Sequence, residues 1–304
     1  MTRAIIIHGL RRSGTTILWE TLRSDPRLRC YDEPFHPRLA AGATANEKGT
    51  WTEFAAHLTA LPACPVPIQP EEELDRGLSA AQTAWLAALC DSHDRVVIDI
   101  VRGWNRAPDI VAACGDALHV HLVRDPANWA AAHLLPSATR TWKRRLGDVW
   151  RRGSFFYRRG GFDGYQYQRI IAAGVAQNHP VFADLPGGAA VLRGTPAYRR
   201  LLAFWWGANR RIARDLAATG RPCLTVTLAD FTTAPEATVA RILTQAGWTD
   251  TACDTRPVRV LRPAHGATSP RWPQAARHMG LPEDLFTRHD AAATQALLRT
   301  GGRP

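Results

Sequence analysis

Short apolar, β-branched runs alternate along the chain with longer stretches whose apolar residues recur at helical spacing. The strand-like runs are Ala4 to His8, Val96 to Val101, Ala117 to Val123 and Cys223 to Leu228, with a shorter one at Leu28 to Tyr31. Between them, helical periodicity predicts helices over Thr15 to Arg23, Ala80 to Cys90, Pro126 to Leu135, Tyr198 to Ala218 and Pro235 to Ala246. Such alternation implies an α/β fold of three layers, α/β/α, around a mostly parallel central sheet. There is no repeat or low-complexity tract, and the Pro-rich stretch from Pro62 to Pro70 reads as a surface connection. The 304 residues are therefore expected to form one elaborated domain, 1–304, rather than two.

In an open parallel sheet, ligands lie beyond the carboxyl ends of the strands, so the residues that follow each strand carry the chemistry. After the first strand comes Gly9-Leu10-Arg11-Arg12-Ser13-Gly14-Thr15-Thr16, and after the short second one Asp32-Glu33-Pro34. The next two are followed by Arg102-Gly103 and Arg124-Asp125-Pro126. If the strands are parallel, a phosphate-type loop, a carboxylate and two arginines converge on one edge.

Gly9 to Gly14 has the Gly-x-x-x-x-Gly frame of a P-loop, whose backbone N–H groups form a concave nest at the positive end of a helix. Thr15 stands where a Walker A loop has lysine, and Arg12 precedes Ser13 instead, which disfavours an ATP or GTP hydrolase. A kinase or other P-loop phosphotransferase stays open as an alternative. The blander reading makes Ser13 a helix cap. Asp125 and Pro126 suit the cap and first turn of the next helix, aiming Arg124 over the strand end unless it is spent in a surface salt bridge.

Composition alters this picture mainly through charge. With 45% apolar and 21% charged residues the chain has a globular balance, yet 38 Lys and Arg against 27 Asp and Glu leave a net charge of +11. Only Lys48 and Lys143 are lysines, so the cation is nearly always guanidinium, whose fork matches phosphate and sulfate. A genomic bias toward arginine explains that equally well. Basic residues concentrate in an insertion at about 138–165, where Arg140, Lys143, Arg144, Arg145, Arg151 and Arg152 interleave with Trp142, Trp150 and Phe155. It could cover an acceptor, clasp a cofactor or touch a membrane surface as a peripheral contact, or simply be a solvated basic helix. This segment and the pI of 10.1 also raise a nucleic-acid-binding protein as a second alternative. Nothing resembles a nucleic-acid module, so no nucleic-acid partner is expected.

The six cysteines, at positions 30, 64, 90, 114, 223 and 253, have neither zinc-site nor disulfide-framework spacing. The N-terminal apolar run Ala4 to Ile7 is too short for a signal core, and no stretch approaches the ~20 apolar residues of a membrane span. The expected address is the cytoplasm.

Taken in order, Arg12-Ser13-Gly14-Thr15-Thr16 after a strand, Tyr31-Asp32-Glu33-Pro34, Arg124-Asp125-Pro126, and Leu224 to Phe231 followed by Pro235-Glu236-Ala237 resemble the sulfotransferases that use 3′-phosphoadenosine 5′-phosphosulfate (PAPS). The similarity spans roughly Arg3 to Trp248 and is closest to carbohydrate-type members. It implies PAPS as donor, its desulfated product PAP, and no required metal. It further implies transfer of a sulfuryl group to a hydroxyl of a small-molecule or glycan acceptor. Arg11, Arg12, Ser13, Gly14, Thr15 and Thr16 would hold the 5′-phosphate, with Arg12 bridging to the sulfuryl group. Arg124 would grip the 3′-phosphate, with His133 nearby.

The family's tyrosine-glutamate-proline segment makes Glu33 the candidate general base and an acceptor contact, with Asp32, His36 and His8 as rivals. His36 and Arg102 are further acceptor candidates, although Arg102 could equally pair with Asp99 or a neighbouring carboxylate. Trp205 and Trp206 are expected in the core rather than stacked on an acceptor. Three features depart from the family pattern: Ile17 replaces an adenine-stacking tryptophan, Ala132 replaces a phosphate-binding serine with Ser137 the next hydroxyl, and a C-terminal Arg-Lys-Gly is missing. Arg262, His265 and Arg271 are candidate substitutes for that last segment.

Overall fold

The five apolar runs become five parallel strands of one sheet: β1 (Ala4–His8), β2 (Arg29–Asp32), β3 (Val96–Ile100), β4 (Ala117–Val123) and β5 (Cys223–Thr227), in spatial order β2-β3-β1-β4-β5. This is a computed structural model, and it describes residues 2–42, 49–57, 61, 63, 65–134, 167–256, 258, 268, 270–286 and 290–300. The insertion at about 138–165, together with Ser137, Arg262 and His265, falls outside these residues.

The helices are α1 (Thr15–Arg23), α2 (Pro37–Ala40), α3 (Thr52–His57), α4 (Ala80–Cys90), α5 (Ala107–Cys114), α6 (Pro126–Leu134), α7 (Tyr167–Ala176), α8 (Ala197–Ala218), α9 (Leu228–Thr233), α10 (Pro235–Ala246), α11 (Arg271–His278) and α12 (Ala291–Thr300). Every residue of β1, β3 and β4 is buried, as strands covered on both faces require. Ile5 and Ile7 pack with Leu18, Trp19 and Leu22 of α1 and with Val239 and Ile242 of α10. Their alternating neighbours Ala4 and Ile6 pack with Trp85, Leu86 and Leu89 of α4 and Ile110 of α5. Helices thus cover both faces, giving the three layers.

Three strands differ from the periodicity, β3 stopping at Ile100 rather than Val101. β2 runs one residue later than expected, because its backbone pairs Asp32 with Asp99 of β3, a ladder contact that side-chain alternation does not reveal. Leu228 begins α9 instead of ending β5: Thr227 Oγ1 accepts a hydrogen bond from Asp230 N at 3.0 Å and caps the helix there.

The chain places β3 and β4 on opposite sides of β1, so a switch point falls at the central strand. His8 stands level with Ile100 of β3 and His121 of β4. The segment after β1 is therefore flanked by the residues that follow β3 and β4. Among the described residues no helix is long and apolar enough to cross a membrane, and Cys30, Cys90, Cys114, Cys223 and Cys253 are free.

Candidate active site

The loop from Gly9 to Gly14 alternates backbone handedness. Arg12 has φ 70° and Gly14 φ 99°, both left-handed, and such alternation turns successive N–H groups toward one concavity. Gly14, not Ser13, is the N-cap of α1, and it makes no side-chain cap bond. Ile17 N–H of α1 donates to the Gly14 carbonyl at 3.1 Å, while the N–H groups of Thr15 and Thr16 come before any acceptor one turn back in the helix. A side chain at Gly9 would put its Cβ 2.6 Å from Thr15 Cγ2, and one at Gly14 would lie 2.6 Å from Leu228 Cδ1. Both glycines are thus required sterically, and Gly14 conformationally as well. Ser13 and Thr15 are buried, while Arg12 and Thr16 reach the surface in part.

Residue 11 anchors this loop. Its carbonyl accepts hydrogen bonds from Trp129 Nε1 at 2.9 Å and His133 Nε2 at 3.2 Å, and its N–H donates to Tyr167 Oη at 3.1 Å. A carbonyl only accepts, so His133 must carry its proton on Nε2. The Arg11 guanidinium is paired: Nη1 and Nη2 reach Glu73 Oε1 and Oε2 at 2.6 and 2.9 Å in a buried fork. Arg11 and His133 were both expected to touch the cofactor. The structure instead sets the Arg11 guanidinium on Glu73 and the His133 ring on the Arg11 carbonyl, packed against Trp129 and Tyr167.

Arg124 behaves differently. Asp125 Oδ1 accepts from Asn128 N at 2.7 Å and caps α6, which leaves Arg124 at the strand end, where its Nη1 donates to the Arg12 carbonyl at 2.8 Å. Trp205 Nε1 donates to the Arg124 carbonyl at 3.0 Å, so Trp205 is a buried supporting residue, and Trp206 is buried beside it. Burial first, and the nearby Arg12 cation second, bring Arg124 down to about 10, still protonated at neutral pH. Two cations thus face one rim.

On the other flank, a chain of charges joins the loop to the carboxylate that follows β2. Arg102 Nη1 lies 3.2 Å from Glu73 Oε1, and Arg102 Nε lies 3.4 Å from Glu33 Oε2. Arg102 therefore takes the carboxylate-pairing alternative, with Glu33 and Glu73 rather than Asp99. Glu73 sits in a 3-10 turn, Pro70–Leu74, and is fully buried. Burial raises its carboxyl above the usual range, opposed by Arg11 and then Arg102. For Arg11, burial acts to lower the guanidinium, but Tyr167 and Glu73 more than reverse this. Glu73 escaped the sequence reading because it is one of three consecutive glutamates, and nothing in their order marks which turns inward.

Among the candidate bases, the geometry separates Glu33 from its rivals. Glu33, held at φ 48° with its N–H on the Asp99 carbonyl, has a side chain 23% exposed. Asp32 is 4% exposed and accepts from Thr50 Oγ1 at 2.5 Å. His8 is 1% exposed and its Nε2 is 2.9 Å from His119 Nδ1. His36 Nδ1 accepts from Arg38 N at 3.2 Å as the cap of α2, and burial followed by the Arg102 cation lowers it to about 4. A neutral imidazole whose Nδ1 accepts must carry hydrogen on Nε2, which makes that atom a donor and not a base.

Ile17 packs against the core beneath α1, and Ala132 is buried. Arg271 stacks on Tyr198 and Trp272 between α8 and α11.

Loop, flanking arginines and carboxylate lie together at the switch point of a parallel sheet, in an α/β fold with a P-loop-type turn after its first strand. The chain belongs to the sulfotransferase family, whose sequence model matches residues 4–171, more than half of its length. It is similar to a solved sulfotransferase from Alicyclobacillus acidocaldarius, at 15% identity and TM-score 0.45, covering 96% of this chain and 98% of that one. A sulfotransferase domain from the curacin biosynthetic pathway aligns at 12% identity and TM-score 0.38, covering 100% and 93%. No curated protein sequence matches this chain.

Proposed function

We propose that this sulfotransferase-family chain moves a sulfuryl group from PAPS to an acceptor hydroxyl, with Glu33 as general base. The reading is carried by the 2.8 Å bond from Arg124 Nη1 to the Arg12 carbonyl, which joins the arginine after β4 to the anion loop after β1. A donor with a phosphate at each end suits that pairing of nest and clamp. The residues present fit it chemically: the alternating loop offers backbone donors, and the buried Ser13 hydroxyl has no hydrogen-bond partner of its own.

PAPS supplies the sulfuryl group, and PAP leaves. Ser13, Gly14, Thr15 and Thr16 hold the 5′-phosphate through loop N–H groups and hydroxyls. Arg124 holds the 3′-phosphate, and Arg12 faces the oxygen on which charge builds as the S–O bond to the phosphate breaks. Glu33 takes the acceptor proton as the new O–S bond forms, while Arg102 steadies its carboxylate from the side. The acceptor is read as a glycan or other small hydroxyl compound reaching the rim at Glu33.

Nucleotide preference tests the proposal. Purified protein should bind PAP far more tightly than AMP or ATP in calorimetric titration, and Arg124→Ala should erase the preference while leaving the fold intact. Equal affinities in the unaltered protein would reject PAPS as donor.

A further inference from the structure

Trp205 and Asn209 of α8 bond in turn to Arg124, just past β4, and to His121 within it, so α8 runs antiparallel to that strand. Its N-terminal end projects past the carboxyl edge of the sheet. Tyr198 lies seven residues before Trp205, roughly 10 Å farther along the axis. There α8 meets α11 across a cleft of about 510 Å³ lined by Tyr198, Arg199, Arg271, Gln274, Arg277 and His278.

No carboxylate lines this cleft. Many arginines elsewhere on the surface are paired, Arg214 with Asp184 and Arg256 with Asp254 among them. Among the described residues Arg199, Arg271 and Arg277 have no ion pair. Arg271 is fixed by its rings, 4.6 Å from the centroid of Trp272 and 5.5 Å from that of Tyr198, and Arg199 lies 6.0 Å from Tyr198 on the same ring system. Stacking holds a guanidinium plane while leaving its N–H edge for a ligand. The Nε atoms of Arg199 and Arg271 are buried without a hydrogen-bond partner. Arg199 and Arg200 also occupy the first turn of α8, which has no acidic residue, where the helix dipole disfavours cations. A bound anion would offset the unpaired charges and the unfavourable helix end together.

We propose that this cleft is a second anion site, separate from the loop after β1, that takes the sulfate or phosphate ester of a small soluble ligand. Its volume suits a small molecule, and its walls, a helix on each side, give it the concavity that such a ligand needs. The site stands on its own residues and does not depend on the identity of the sulfuryl donor.

Calorimetry of the full chain with inorganic pyrophosphate tests this. The unaltered protein should bind at two sites, one displaced by saturating PAP and one not. R271Q/R277Q should keep the fold and only the PAP-displaceable site. R199Q/R277Q leaves the ring-stacked Arg271 in place and should weaken the second site without disturbing the packing of α8 against α11. A single site in the unaltered protein, or two undiminished sites in both variants, overturns the proposal. Loss of PAP binding in R271Q/R277Q also overturns it, because the cleft would then belong to the donor. If PAP displaces neither site, the donor assignment fails while the two-site count still decides this one.

Discussion

Arg11 lays both terminal nitrogens of its guanidinium on the Glu73 carboxylate, Nη1 on Oε1 at 2.6 Å and Nη2 on Oε2 at 2.9 Å, with Glu73 fully buried. The pair fixes the loop after β1 against the turn at Pro70–Leu74, and Arg102 extends it to Glu33. Removing one partner of a buried pair leaves an uncompensated charge, typically at a cost of about 3–5 kcal/mol. Glu73→Gln should lose stability of that order in denaturant unfolding. Arg11→Met with Glu73→Leu should recover part of it, since apolar volume replaces this pair while Arg102 keeps only Glu33. A loss below about 1 kcal/mol in Glu73→Gln would show the pair to be energetically idle.

Glu33→Gln keeps shape and hydrogen bonding but removes the proton acceptor. Turnover should drop about 10² to 10⁴-fold, the usual contribution of a positioned base, with PAP affinity unchanged. Steady-state kinetics beside a binding titration separates the two. Unaltered turnover would remove Glu33 from the role, and parallel loss of PAP binding would make it structural.

Gly14→Ala tests the anion loop through its backbone. At φ 99° a Cβ is strained, and this one would meet Leu228 Cδ1 at 2.6 Å. Left-handed backbone alone costs an L-residue about 1–2 kcal/mol. The variant should lose PAP binding before it loses its fold, and pairing it with Leu228→Ala should restore part of the affinity by removing the clash.

Three histidines between the sheet and α8 confer a dependence on pH. His8 and His119 pair at 2.9 Å, and His121 Nε2 bonds to Asn209 Oδ1 at 3.1 Å. Asn209 Nδ2 donates to the Trp205 carbonyl, so Oδ1 is the acceptor and His121 carries its proton on Nε2. Burial holds all three well below the ordinary value of 6.5, His119 and His121 at about 4. Between about pH 6.5 and 4 the unfolded chain binds protons that the folded chain refuses, so stability is fully present above this window and falls as pH drops through it. Each such histidine contributes on the order of 1 kcal/mol per pH unit. Melting temperature should fall across that range, and His121→Asn should flatten the fall. A flat profile in the unaltered protein would contradict the buried neutral state.

The five strands, the helices α1, α4, α6, α8 and α10, the covered parallel sheet and the Gly9-to-Thr16 loop were legible from local sequence, because period, β-branching and glycine spacing are local properties of the chain; the remaining helices, α5 between β3 and β4 among them, were not. Asp125 was legible as a cap, since caps act within three residues. Local order also singled out Arg12, Glu33 and Arg124 as residues that follow strands. Whether they share a rim depended on β3 and β4 flanking β1, which is a matter of strand order. The direction in which a long charged side chain turns was decided only in three dimensions. Arg11 and Arg12 are neighbours with the same chemistry, yet one is drawn inward by Glu73, 62 positions away, and the other stays at the surface. Burying a guanidinium requires a carboxylate beside it, and no local pattern announces a partner that the fold brings from another loop.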